Sequence, residues 1–171
     1  MTEDRSASNP PTMDDYERKL LGDAPITLVS PSALPDVVSA LQRRAYDVVW
    51  IDCSTYERFE RSARTALRWK EQFGYVPDTG RISIDALGEA LWGVPFDGKR
   101  CGVIVLHGFS RLMNAERRAA SGTMAYILSR SDAAVADAQR VVALVETERA
   151  ALNLRDVPKT CVRRYSPDIA T

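Results

Sequence analysis

The chain has 171 residues, with 23 Lys and Arg against 23 Asp and Glu, so its formal net charge is zero. That length suits one domain with a real core, and the neutral balance argues against direct nucleic-acid binding, which ordinarily needs a basic domain. Cys53, Cys101 and Cys161 lie far apart with no C-x-x-C, which argues against a zinc site or a disulfide framework. No apolar run reaches the roughly 18 residues of a membrane span, and the polar, acidic start is unlike a signal peptide. A cytoplasmic protein with reduced thiols and no membrane association is expected.

Residues 1–25 hold Asn9-Pro10-Pro11 and scattered acids, the composition of a flexible leader with at most a helical turn near Tyr16–Leu21. Ile26–Val29 fits a short first strand at a sheet edge. Ser30-Pro31 reads as a helix start, and Leu34, Val37, Val38, Leu41 and Ala45 mark the buried face of that helix. Val48–Ile51 is a continuous apolar run, as expected of a strand covered on both sides. Ser54 and Glu57 then form an S-x-x-E capping box. The helix it opens has Tyr56, Phe59, Ala63, Ala66 and Leu67 on its core face, with Arg58, Arg61, Arg64 and Arg68 on a solvated basic face.

A loop with Pro77 and Gly80 leads into a short helix, for which Ser83 is the N-cap. Ile84, Leu87 and Leu91 make its apolar stripe. Asp85 and Glu89, at i and i+4, leave it on one face, and Asp85 sits in the first turn, where the helix dipole favours an acid. Gly93, Pro95 and Gly98 break the pattern. Gly102–Leu106 reads as a buried strand, Arg111–Ser121 as a loop or irregular helix punctuated by Gly122, and the stretch from Thr123 to Val135 as a strong helix. Val141–Val145 is the last strand. The tail, residues 147–171, is polar, with helical character near Ala150–Leu154. Strands alternating with helices predict a small parallel α/β sheet, three core strands plus the edge strand at 26–29, spanning residues 26–146.

Such a sheet invites a nucleotide or phosphate site, but neither G-x-G-x-x-G nor G-x-x-x-x-G-K-[ST] occurs. Cys53 and Arg58 are C-x4-R, one residue short of the cysteine-phosphatase spacing and without its glycines, so a buried strand-end cysteine is expected. His107 is the one histidine, with no G-x-S-x-G nucleophile elbow near it. It reads as a strand-end residue. One histidine and dispersed acids assemble no metal set. The expectation is no catalytic residue, no metal and no cofactor. Trp50, Trp69 and Trp92 read as core or sheet-covering residues, with Trp92 able to reach the surface beside the acidic helix.

The order of elements resembles the barstar family, intracellular inhibitors of barnase-type secreted ribonucleases, from about Ile26 to Glu146. The resemblance rests on the strand VVWID, the loop FGYVPDTG, the short helix IDALGEAL, the strand GVIVL, the long helix and the strand VVALV. Its best local signature is Phe73, Pro77, Gly80, Asp85-Ala86-Leu87 and Leu91, with S-I-D-A-L where the family usually has N-[WL]-D-A-L. The resemblance implies a barstar-like sheet packed with helices, no enzymatic activity, and a basic secreted ribonuclease or related nuclease toxin as partner. It implies that Glu89, where aspartate is usual, enters the ribonuclease active site and mimics a phosphate. Asp85 matches the family's other acidic contact on this helix, and Gly88 stands where the family has a tryptophan. The loop contact falls at Asp78 and Thr79, with Tyr75 as a substitute aromatic, and a late acidic contact falls near Asp132. Beside this inhibitor reading stand a barstar-like interaction module without ribonuclease inhibition, and a small α/β enzyme, which the missing motifs disfavour.

Overall fold

A computed structural model describes residues 15–75, 81–93, 96, 101–136, 139–149, 151–154 and 157–166. The fold is α/β, with a five-stranded, all-parallel sheet. The strands are β1 (Ile26–Val29), β2 (Asp47–Asp52), β3 (Cys101–His107), β4 (Arg140–Glu146) and β5 (Val162–Arg164), in the order β2-β3-β4-β1-β5. The helices are α1 (Asp15–Leu21), α2 (Leu34–Arg43), α3 (Tyr56–Ala66), α4 (Trp69–Phe73), α5 (Ile84–Trp92), α6 (Phe109–Ala115) and α7 (Arg117–Ala136).

Side chains alternate across a strand, and the two faces of the sheet feed two cores. Ile104 and Leu106 of β3, with Val141, Ala143 and Val145 of β4, enter the core shared with Phe59, Leu87, Leu91 and Met124. Val103, Val105, Val142 and Leu144 enter the other, against Leu20, Leu21 and the α2 residues Leu34, Val37, Val38 and Leu41. Helices on both faces explain why β3 and β4 read as unbroken apolar runs.

The expected places of the first two strands are exchanged. β1 is interior, flanked by β4 and β5, and all four of its residues are buried. β2, expected as one of the three core strands, is an edge strand among the described residues, and Trp50 is 44% exposed on it. A short apolar run reports burial of side chains, not a place in the hydrogen-bond ladder. Within the described residues, α1 of the segment read as a leader buries Leu20 and Leu21, and β5 joins the sheet from within the segment read as a tail. Arg163 donates to the carbonyls of Arg18 (3.0 Å) and Lys19 (2.5 Å), tying these two segments together. Residues 151–154 are not helical, and Ala150 lies outside the described residues.

Local signals were moved by a few residues in three places. Thr55, not Ser54, caps α3, its hydroxyl accepting from the Arg58 N–H at 3.2 Å. The Ser54 N–H donates instead to Asp52 at 2.9 Å. Ser30 and Pro31 form a turn, and α2 starts at Leu34 with Pro35 in its first turn. The stretch expected as a loop or irregular helix, 111–121, is helical in α6 and in the start of α7, interrupted at Glu116. Gly122 lies inside α7; a Cβ there would meet the Ile84 side chain at 2.5 Å, so this glycine serves close helix packing.

Candidate functional site

α5 begins as its sequence demands. Ser83 caps it, accepting from the Ala86 N–H at 3.1 Å. The preceding loop is pinned where the Ile82 N–H donates to Glu60 at 2.5 Å. Leu87, Ala90 and Leu91 are buried beneath the helix. At its far end the Gln72 amide donates to the Ala90 carbonyl at 3.0 Å, and Gly93 admits that side chain, since a Cβ there would lie 1.9 Å from the Gln72 oxygen. A helix held at its cap, underside and end presents its outer face rigidly.

That outer face carries Asp85 and Glu89, both exposed. Trp92, 47% exposed, joins them; at about 100° per residue the three fall within about 60° around the helix. Neither carboxylate forms an ion pair among the described residues. Arg81, the nearest basic residue in sequence, is held elsewhere: it pairs with Glu116 at 3.0 Å and stacks on Tyr56, 4.6 Å from the ring centroid. A groove of about 540 Å³ opens beside the first turn, between Tyr56, Arg81, Asp85, Glu116 and Arg118.

Gly88 is buried, not presented. A Cβ on it would meet the Tyr126 ring at 2.3 Å, so the ring of α7 lies directly over this glycine. The Tyr126 hydroxyl reaches past it and donates to Asp85 at 3.0 Å. That hydrogen bond to Asp85, with minor burial and the Asp85 and Glu89 charges, raises the phenol above its ordinary pKa. Ile84 meets Gly122 and Gly88 meets Tyr126, so α5 and α7 run the same way across a glycine-lined contact. Tyr126 is the residue that sequence reasoning missed. Its signal was the equal four-residue spacing of Gly122–Tyr126 and Ile84–Gly88. Asp132 is exposed on α7, about 9 Å farther along the axis than Tyr126 at 1.5 Å per residue. No hydrogen bond or ion pair joins it to α5 among the described residues. Asp78 and Thr79 lie outside the described residues.

The carboxyl ends of the strands, where ligands of parallel sheets gather, carry Asp52, His107 and Glu146. The His107 Nδ1 pairs with the Glu146 carboxylate. Burial alone would raise Asp52, but hydrogen bonding from Ser54, with Arg58 and His107 nearby, outweighs it and holds the carboxyl below its usual value. Cys53 is buried, and burial pushes its thiol well above the ordinary range. Ser110 bonds to Thr147 at 2.6 Å and not to the imidazole. No group of three or more metal-ligating side chains forms among the described residues, and none of the described helices is long and apolar enough to cross a membrane. Comparison with family models finds no match, and neither does comparison with curated proteins.

Proposed function

We propose that this protein is a barstar-like inhibitor that blocks the basic active site of a ribonuclease with the outer face of α5. The observation that carries the reading is the pair Asp85 and Glu89, exposed together on a capped, buried-backed helix with no ion pair among the described residues. An enzyme that cleaves RNA holds cations for the phosphate. Two carboxylates on a rigid helix compete for those cations, and their field speeds the encounter. Blockade of this kind needs no chemistry from the inhibitor and acts in the cytoplasm, where the cell's own RNA needs protection. Glu89 keeps the charge at the phosphate-mimicking position with a longer reach, and Trp92 supplies an apolar contact beside it.

Calorimetric titration against a barnase-type ribonuclease, with RNA cleavage followed in parallel, tests the reading. One-to-one binding that stops cleavage, weakens with added salt and disappears in the Asp85→Ala, Glu89→Ala double variant is the expected result. The double variant should keep its melting temperature, because exposed substitutions cost little. A second reading, an interaction module with another partner, is favoured by the Tyr126–Asp85 hydrogen bond, which occupies part of one carboxylate. Absence of binding to several such ribonucleases by a folded protein would select it.

A further inference from the structure

The free edge of the sheet makes a second surface, on different elements from the α5 face. Among the described residues, β2 pairs with β3 on one side only. Backbone groups of a strand point alternately to its two sides. The Cys53 N–H donates to the His107 carbonyl at 2.7 Å, toward β3. Asp52 turns the other way: its N–H donates to the Ser62 hydroxyl at 2.8 Å, and that hydroxyl donates back toward the Asp52 carbonyl at 3.4 Å. By this alternation Val48 and Trp50 also turn their N–H and C=O groups outward. Neither has a hydrogen-bond partner on that side among the described residues. Ser62 of α3 closes the edge at Asp52. Beyond it a groove of about 690 Å³ opens between the edge and α3, with Arg58, Arg61, Thr65 and Arg68 on its helix side.

We propose that this groove takes an extended acidic peptide segment, which adds to β2 as a further parallel or antiparallel strand. Unpaired donors and acceptors on an edge strand are a template for another chain, and strand addition is a common mode of peptide recognition. The cations fix the partner's charge. Arg61 pairs with Glu57 at 2.6 Å, Arg58 with Asp52 at 3.5 Å and Arg68 with Glu71 at 3.9 Å, with the three arginine and both glutamate side chains exposed and Asp52 half-buried. Exposed pairs of this kind exchange partners at little cost, so carboxylates of an incoming strand can replace them. Side chains of an added strand alternate between the α3 side and the Trp50 side. The preferred segment therefore alternates acids, facing the arginines, with apolar residues, facing the exposed indole. A second copy of this chain would bring its own arginines against these. A DNA strand would satisfy the arginines, but its sugar–phosphate backbone offers no donors for the Val48 and Trp50 carbonyls.

The test uses the full chain and an acetylated, amidated peptide, Ser-Glu-Val-Glu-Val-Glu-Ser, with its Lys-for-Glu analogue and oligothymidylate as controls. Amide hydrogen exchange is followed by NMR. The glutamate peptide should slow exchange at Val48 and Trp50 by about tenfold when in excess, while sparing interior amides, and the lysine peptide should not. Val48→Pro removes an outward N–H without touching the ladder, and Arg61→Glu reverses one cation; each should abolish the effect. If Val48→Pro fails to fold, Arg61→Glu alone decides. Four results would overturn the proposal: no protection at about 1 mM peptide, a Kd of no practical consequence; protection already present in the chain alone, which means that the edge is covered by the chain itself; protection that grows with protein concentration, which means a second copy; or protection by oligothymidylate in place of the peptide.

Discussion

Replacing Gly88 by alanine sets two effects against each other with opposite signs. Alanine in a helix interior is favoured over glycine by about 1 kcal/mol. The new Cβ, however, would sit 2.3, 2.4 and 2.6 Å from three atoms of the Tyr126 ring. The ring must retreat by roughly 1 Å to regain ordinary carbon contact. It is only partly buried, so it can yield outward, and the overpacking cost belongs near the low end of the usual range, about 1 kcal/mol. Retreat also takes the hydroxyl from Asp85, so this exposed hydrogen bond is lost as well. The propensity gain is therefore cancelled, and the net expectation is a neutral to slightly destabilising change. Urea unfolding measures it, and NMR titration of the Tyr126 phenol reads the mechanism. The phenol is raised chiefly by its bond to Asp85, so in Gly88→Ala its pKa should fall toward the ordinary tyrosine value. Stabilisation by about 1 kcal/mol, the propensity gain alone, with an unchanged Tyr126 titration would refute the packing derived for this contact.

Thr55→Ala should cost about 1 kcal/mol, the usual loss of an N-cap, whereas Ser54→Ala should cost less, because the Ser54 hydroxyl does not cap α3 and the backbone N–H that donates to Asp52 is retained; paired chemical denaturation of both variants checks the cap assignment. Asp52 has a depressed pKa in the folded state, so its contribution is present above the unfolded carboxylate value, near 3.9, and is lost as pH falls through the folded value. Asp52→Asn should therefore lower the melting temperature at pH 6, with the gap to the parent closing toward pH 2; a gap that stays constant with pH would contradict the shift. In binding, Glu89→Gln removes a charge at constant shape, and should weaken any ribonuclease complex chiefly at low salt, as seen by titration at two ionic strengths.

The interior strands β3 and β4 were legible because both faces are covered, and an unbroken apolar run is the direct sign of that. The exchange of β1 and β2 was not legible from the runs alone. The clue lay at the margins: Asp47 and Asp52 bracket β2 and Trp50 interrupts its aliphatic residues, all features an edge tolerates. β5 was invisible for a different reason. Three residues with two arginines carry no periodicity, and the strand exists because β1 offers it a ladder. At the candidate site, the cap, the apolar stripe and the exposed acids of α5 followed from local spacing. The Tyr126 contact is tertiary, and depends on two glycines in different helices that local reading treats as helix breaks.

The place of β1 has a consequence for synthesis on the ribosome. Its outer neighbour, β5, is separated from it by most of the chain, yet pairs with it residue by residue from Ile26 to Leu28. Until Arg164 has emerged, β1 can gain β4 but keeps its other flank bare, an open template during the slowest part of assembly. Such distant pairing pays its loop-closure entropy late, so the last strand should set the pace of folding. A nascent chain stalled after Glu146 would hold the β1–β4 pairing with an unsealed seam, and emergence of Val162–Arg164 would act as the closing stitch.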